Sequence, residues 1–342
     1  MHKSAVIGCG YWGPNIVRNI INTKKASKIF VYDKQAEKME KIKSMYPVVE
    51  KVRYEEEIFE NPEIDTIFVV TPVETHFELA YKALDSEKHV LVEKPMTKSS
   101  LQARKLIEKA KEKNRILMVG HTFEYSPPVV KMKEIIEEKK LGRICFINSK
   151  RVNLGIHRKD VSVIWDLASH DFSIIFYWLE EFPAKINAIG RDIVQPGIVD
   201  VAFISLEFSS GVIANIIVSW LSPSKLREMA VIGTQKMAIY DDTRVDEKIK
   251  IFDKGVEWRD PKDFGEYHLS YRIGDIFSPR INNTEPLYEE INHFYNCVEK
   301  GTSPRTDGLS GYWVVKALEL CEKAMYLDNG AVKVPLEELA WR

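Results

Sequence analysis

Gly8-Cys9-Gly10-Tyr11-Trp12-Gly13 decides the fold. The six residues spell G-x-G-x-x-G, directly after a short apolar run at residues 4–8 and at the opening of a stretch of helical period. Glycines at that spacing permit a tight turn and bring the backbone close to a pyrophosphate at a helix N-terminus. Asp33 closes the next apolar run, 20 residues after Gly13. An acidic side chain there accepts from the adenosine ribose hydroxyls and repels a 2′-phosphate. Gly8, Gly10, Tyr11, Trp12, Gly13 and Asp33 are therefore expected around NAD rather than NADP, with Lys34 the neighbouring cation that would tolerate a 2′-phosphate.

Outward from this motif the same pattern repeats. Apolar runs at 28–33, 66–71, 89–93 and 116–120 read as parallel strands buried on both faces. Helical stretches separate them; in 98–114, Ala103, Leu106, Ile107 and Ala110 form an apolar stripe under a Lys- and Glu-rich face. This predicts an α/β fold, with a doubly wound parallel sheet of Rossmann type over residues 1–122. Residues 123–342 read differently. A helix near 128–140 and a strand at 143–153 precede two hairpins, 201–208 with 212–220 and 228–232 with 236–240, which turn at Ser209-Ser210-Gly211 and Gly233-Thr234-Gln235. Two helices fill 285–327. A second α/β domain with a large, open, mostly antiparallel sheet is the expectation. Residues 213–218 are apolar on both sides, which predicts a homo-oligomer, dimer or tetramer, built on that sheet.

Composition agrees with two ordinary globular domains: 342 residues, 45% hydrophobic and 29% charged. With 49 Lys+Arg against 50 Asp+Glu, no global field recruits nucleic acid or an anionic membrane. The apolar stretch 212–221 is about half of the roughly 20 residues that a membrane helix needs, so no membrane span is expected. Met1-His2-Lys3-Ser4 runs straight into the first strand without a signal-peptide pattern, and a cytoplasmic location is expected. Cys9, Cys145, Cys297 and Cys321 match no C-x-x-C or zinc spacing, so the thiols read as free and no metal is predicted.

The remaining chemistry lies at strand ends and on one helix. In an open α/β sheet, ligands sit beyond the carboxyl ends of the strands, so Thr71-Pro72, His76 and Glu93-Lys94-Pro95 should meet in one crevice. His76 reads equally as a polar residue opening a helix. Lys94 closes a buried strand and is fixed by the following proline, an awkward choice for structure and a suitable one for a cation near a reacting hydroxyl. Asp166 and His170 are four apart at the start of an amphipathic helix and share a face, where the carboxylate would raise the basicity of the imidazole. On spacing alone a surface Asp/His pair reads the same way.

Together, the glycine motif, Thr71-Pro72 with Thr75-His76, Glu93-Lys94-Pro95 and Asp166-x-x-x-His170 resemble the Gfo/Idh/MocA family of NAD(P)-dependent sugar and cyclitol oxidoreductases. The resemblance implies a second domain whose open sheet joins subunits, a Lys94 near nicotinamide and substrate, a cis peptide before Pro95, and proton transfer at His170 beside Asp166. Gly120-His121-Thr122-Phe123-Glu124-Tyr125, residues 219–227, Tyr240-Asp241-Asp242 and Glu285-Pro286-Leu287 resemble the branch containing UDP-N-acetylglucosamine 3-dehydrogenases and relatives acting on its uronate. His121 and Glu124 stand where many members carry Gln and Arg. That leaves Arg151, Lys225 and Arg227 as candidate cations for a substrate diphosphate, with Tyr125 also in the substrate site; each cation taken singly reads equally as surface charge. The implied activity is oxidation of a ring hydroxyl, the 3-hydroxyl, of a UDP-linked N-acetylated amino sugar to a ketone. His170 would take the proton and Lys94 would hydrogen-bond the oxygen, or Lys94 would itself be the base. The alternatives are a dehydrogenase of a free sugar or inositol, a ketosugar reductase, and an NAD-binding sensor or scaffold without turnover.

Overall fold

The computed structural model describes residues 1–155, 157–158, 161–258, 269–327 and 330–335. Along the chain, β1 (His2–Ile7), α1 (Gly13–Thr23), β2 (Ala26–Tyr32), α2 (Ala36–Met45), β3 (Val49–Lys51), α3 (Glu56–Glu60) and β4 (Thr66–Val69) alternate as the apolar runs require. They continue through α4 (Val73–Asp85), β5 (His89–Glu93), α5 (Ser100–Glu112), β6 (Leu117–Gly120) and a 3-10 turn, Thr122–Tyr125. Next come α6 (Pro127–Glu137), β7 (Ile144–Val152), a π-helical turn at Ile164–Ala168 and α7 (Ser169–Leu179). Seven strands follow: β8 (Lys185–Arg191), β9 (Val201–Glu207), β10 (Ile213–Ser219), β11 (Leu226–Gly233), β12 (Met237–Asp241), β13 (Ile249–Trp258) and β14 (Leu269–Phe277). The chain closes with α8 (Pro286–Lys300), α9 (Gly308–Met325) and β15 (Ala331–Lys333).

Two compact units form, Met1–Ser126 with Thr284–Glu319, and Pro127–Asn283 with Leu320–Arg342. The first holds a six-stranded sheet in the order β3-β2-β1-β4-β5-β6, parallel throughout. The order reverses between β1 and β4, so the crevice at their carboxyl ends is the switch point where such sheets take ligands. Val6, Val31, Phe68, Leu91 and Met118 pack into one core with Ile16 and Ile20 of α1 and Leu287, Ile291, Phe294 and Tyr295 of α8. Phe294 meets Phe68 edge-on at 5.3 Å, and the Tyr295 hydroxyl lies 2.7 Å from that of Ser4. This burial explains why α8 belongs with the N-terminal sheet, where the linear division at residue 122 places it in the second half. The boundary itself falls after Ser126.

The second unit is a nine-stranded sheet, β14-β13-β12-β11-β7-β10-β9-β8-β15. Only the β7–β10 pairing is parallel, and both expected hairpins are present as β9–β10 and β11–β12. Ile204, Leu206, Ala214, Ile216, Val218, Met229 and Val231 are buried. The opposite face exposes Phe146, Ile189, Phe203 and Ile213, which the strand register places on one side of the sheet. One expectation needs correction: α7 is no amphipathic helix. Phe172, Ile174, Ile175, Phe176 and Trp178 bury it nearly all round, and the Trp178 indole donates to the Val129 carbonyl of α6 at 3.0 Å.

Candidate active site

In the first unit the glycine turn follows sterics. Gly8 has φ +107°, and a Cβ on it would lie 2.3 Å from the Val70 carbonyl oxygen. A Cβ on Gly13 would lie 2.6 Å from the Gly8 carbonyl oxygen, whereas one on Gly10 would meet nothing within 4 Å. Gly8 and Gly13 thus close the turn, and Gly10 leaves the approach to it open. Helix α1 begins at Trp12 with no side-chain cap and no acidic residue in its first turn. Pro14 brings no N–H and the Asn15 N–H is bonded to the Trp12 carbonyl at 2.9 Å, so the positive end of the dipole is what the helix start chiefly offers an anion. Tyr11 and Trp12 are exposed beside the turn.

Asp33 accepts from the Cys9 N–H at 2.8 Å through Oδ2 and from the Gln35 N–H at 2.9 Å through Oδ1. Each oxygen keeps a lone pair for a ribose hydroxyl. Lys38 Nζ stands 4.0 Å from Oδ2. Burial and the Asp33 charge push the Cys9 thiol up to about 12, so it is inert despite its place in the motif. The open cradle at Gly10, the uncapped helix and the carboxylate fit a dinucleotide with free ribose hydroxyls.

Thr71 ends β4, and its hydroxyl is bonded to that of Thr75 at 2.7 Å. His76 is 1% exposed. Its Nδ1 lies 2.9 Å from the Pro95 carbonyl and its Nε2 2.7 Å from the Thr71 carbonyl. Burial lowers its basicity against the pull of these two acceptors. The imidazole is therefore a brace between Thr71-Pro72 and the turn after β5, not the cofactor contact expected from sequence. The Lys94–Pro95 peptide is cis, as the resemblance implies. Glu93 Oε2 accepts from the Lys94 N–H at 3.2 Å; burial pushes this carboxyl up to about 7, against the Lys94 charge.

Tyr125 also needs correction. It is 3% exposed and part of the N-terminal core, its hydroxyl lies 3.1 Å from Thr306 Oγ1, and the Arg305 guanidinium covers its ring at 4.8 Å. Nothing of it is left for a substrate.

In the second unit Asp166 occupies the π-helical turn and His170 the first turn of α7. Asp166 Oδ2 accepts from the Trp220 indole at 3.1 Å, and Arg158 lies 3.5 Å from Oδ1. Trp220 is buried at the end of β10. Its orienting bond to Asp166 joins residues 54 apart, and no spacing rule reveals it. Arg151 is not a diphosphate ligand. It is 4% exposed, and its Nε lies 2.9 Å from Asp171 Oδ2, while Ser149 donates to Oδ1 at 2.8 Å. Burial opposes the guanidinium charge, but Asp171 raises its pKa, and the pair is a neutral strut between β7 and α7. Arg227, paired across strands with Arg151, keeps a partly exposed guanidinium 3.3 Å from Asp242. Lys225 is exposed.

Comparison with known proteins bears on each half separately. Residues 2–121 match the oxidoreductase family described by its NAD-binding Rossmann fold, and residues 129–239 match the GFO/IDH/MocA C-terminal domain. The chain belongs to the GFO/IDH/MocA oxidoreductase family. This GFO/IDH/MocA enzyme is 26% identical over 314 residues to scyllo-inositol 2-dehydrogenase (NAD(+)) of Bacillus subtilis, covering 88% of this chain and 87% of that one. It is 27% identical over 180 residues to UDP-N-acetylglucosamine 3-dehydrogenase of Acidithiobacillus ferrooxidans, covering 52% and 56%. The solved structure of that enzyme superposes with a TM-score of 0.76 at 22% identity over 93% of this chain and 96% of its own. GenD2 from gentamicin A biosynthesis, solved in complex with NAD, superposes at 0.81 with 19% identity over 98% and 97%. At these identities the superpositions show the shared fold. The cofactor of the GFO/IDH/MocA chain is NAD, and among the described residues no helix is long and apolar enough to cross a membrane.

Proposed function

We propose that this enzyme oxidises the 3-hydroxyl of a UDP-linked N-acetylated amino sugar to a ketone. The reading is carried by two sets of groups, one in each unit: a dinucleotide cradle with Lys94 on the turn after β5, and Asp166 and His170 around the start of α7. A sensor or scaffold has no need of such a set. His170 removes the hydroxyl proton, and Asp166, held by the Trp220 indole, stands four residues before it. Lys94 brings a cation to the oxygen as it gains negative charge. Gly8, Gly10 and Gly13 hold the pyrophosphate on α1, and Asp33 holds the ribose. Bound NAD supplies the hydride acceptor.

Exposed Lys225, on the β10–β11 connection, and partly exposed Arg227, at the start of β11, support a substrate diphosphate, as does the similarity to UDP-N-acetylglucosamine 3-dehydrogenase. A cyclitol or free-sugar substrate is the second reading. It is favoured by burial of Arg151, which removes one of three candidate cations, and by the longer match to scyllo-inositol 2-dehydrogenase. The proposal includes a homo-oligomer formed on the exposed face of the nine-stranded sheet and a cytoplasmic location, which the free thiols support.

A thermal-shift screen with NAD present separates the two substrates. A ligand at 100 times its Kd stabilises by about 2.7 kcal/mol. UDP-N-acetylglucosamine is expected to raise the melting temperature above NAD alone while myo- and scyllo-inositol do not. The reverse pattern would replace the nucleotide sugar by a cyclitol.

A further inference from the structure

Helix α1 buries Ile16, Val17 and Ile20, and between them it buries an amide. Asn19 is 0% exposed. Its Nδ2 donates to the Asn15 carbonyl at 3.1 Å and to Glu285 Oε1 at 3.0 Å, while its Oδ1 has no partner among the described residues. A leucine would fill similar space without leaving a buried oxygen unbonded, so an amide kept here is kept for the direction of its bonds. Glu285 stands at the N-cap of α8 and opens the Glu285-Pro286-Leu287 motif, which none of the roles above uses. Its side chain does not cap α8. It reaches α1 instead, where Oε1 accepts from Arg18 as well as from Asn19.

One turn nearer the glycine motif, Asn15 Nδ2 donates to the Tyr11 carbonyl at 3.4 Å. A chain of bonds thus runs from Glu285 to Asn19, from Asn19 to Asn15, and from Asn15 into the glycine turn itself. The Tyr11–Trp12 peptide is trans, so its N–H points opposite to its C=O. With the Tyr11 carbonyl drawn along α1 toward Asn15, the Trp12 N–H points away from the body of the helix. That is the side from which an anion meets the positive end of the dipole.

We propose that Glu285 and Asn19 are positioning residues for the pyrophosphate of NAD, holding α1 where Asn15 aims the Tyr11–Trp12 peptide at the anion. The inference rests on the reading that the glycine turn takes the pyrophosphate, and it is independent of the sugar. Asn19 stands six residues past Gly13, about 9 Å along the helix at 1.5 Å per residue. It therefore acts through Asn15 and not on the phosphates. A bare carboxylate behind an anion site would repel the anion; the Arg18 guanidinium on the same oxygen compensates it.

The test is calorimetric titration of the intact protein with NAD, ADP and adenosine. Asn19→Leu cuts the chain of bonds and should weaken NAD roughly tenfold, the loss expected of one hydrogen bond, while the melting temperature stays or rises. Glu285→Ala should weaken NAD by a similar factor. Glu285→Gln still offers an oxygen to Asn19 and Arg18 and should bind within about threefold of the wild type. ADP should follow NAD, whereas adenosine, which lacks the phosphates, should keep its affinity. Weaker binding by a variant that is no less stable, confined to ligands with a pyrophosphate, is not the signature of structural damage. The proposal is overturned if Asn19→Leu and Glu285→Ala bind NAD as the wild type does, if adenosine falls in step with NAD, or if Glu285→Gln is as weak as Glu285→Ala. Gly10→Val closes the approach to the turn and should abolish NAD binding in the same assay. If it does so while Asn19→Leu and Glu285→Ala bind normally, the positioning role alone fails; if Gly10→Val binds NAD normally, the reading of the glycine turn fails and the positioning role with it.

Discussion

Asp33 works in two directions: its carboxylate fixes the glycine turn through the Cys9 N–H, and its remaining lone pairs and charge set the cofactor. Asp33→Ser should therefore weaken NAD roughly tenfold, about 1.4 kcal/mol, and admit NADP; titration of both nucleotides reads this, and an unchanged preference would remove Asp33 from the role. Residues of this kind are legible in sequence because motif and spacing are local. Arg151, Tyr125 and His76 were not legible. A cation in a strand is visible, but the Asp171 that neutralises it lies on a helix 20 residues later. An aromatic just past the last strand of the sheet looks like a pocket wall until Arg305 and Thr306 are seen to cover it. A histidine between two carbonyls looks the same as one aimed at a ligand.

At the scale of elements, period did most of the predicting. Every expected strand of the parallel sheet and both hairpins formed where apolar runs met turn residues. Helix α8 shows the limit: its stripe of Leu287, Ile291 and Phe294 says that a face is buried, not which sheet buries it. Phe294→Ala should cost about 3 to 5 kcal/mol and lower the melting temperature through the N-terminal unit, because the cavity opens against Phe68. A change below about 1 kcal/mol would contradict that placement. The strands β3, β8, β13, β14 and β15 escaped prediction. In β8, Lys185 and Arg191 cap a run containing Gly190, and pairing with distant β15 completes the sheet edge. The π-helical turn that holds Asp166 has no sequence signature of its own, so its offset from α7 was unreadable.

For the whole molecule, the exposed apolar face of the nine-stranded sheet and the oxidoreductase chemistry make separate demands. If Phe146, Ile189, Phe203 and Ile213 meet a second copy, light scattering at micromolar concentration should give a multiple of 39.5 kDa, and Phe203→Lys should lower it. A monomeric wild type would refute the association. The central claim is that this chain is a dehydrogenase whose proton chemistry rests on Lys94 and His170. Its most direct test is NADH formation at saturating substrate, over nucleotide sugars, free sugars and inositols, by the wild type and by Lys94→Ala and His170→Ala. The account predicts wild-type turnover on at least one ring hydroxyl and a loss of about 100- to 10,000-fold in kcat for each variant. Near-wild-type kcat in both variants, or no turnover on any of these compounds despite tight NAD binding, would contradict it.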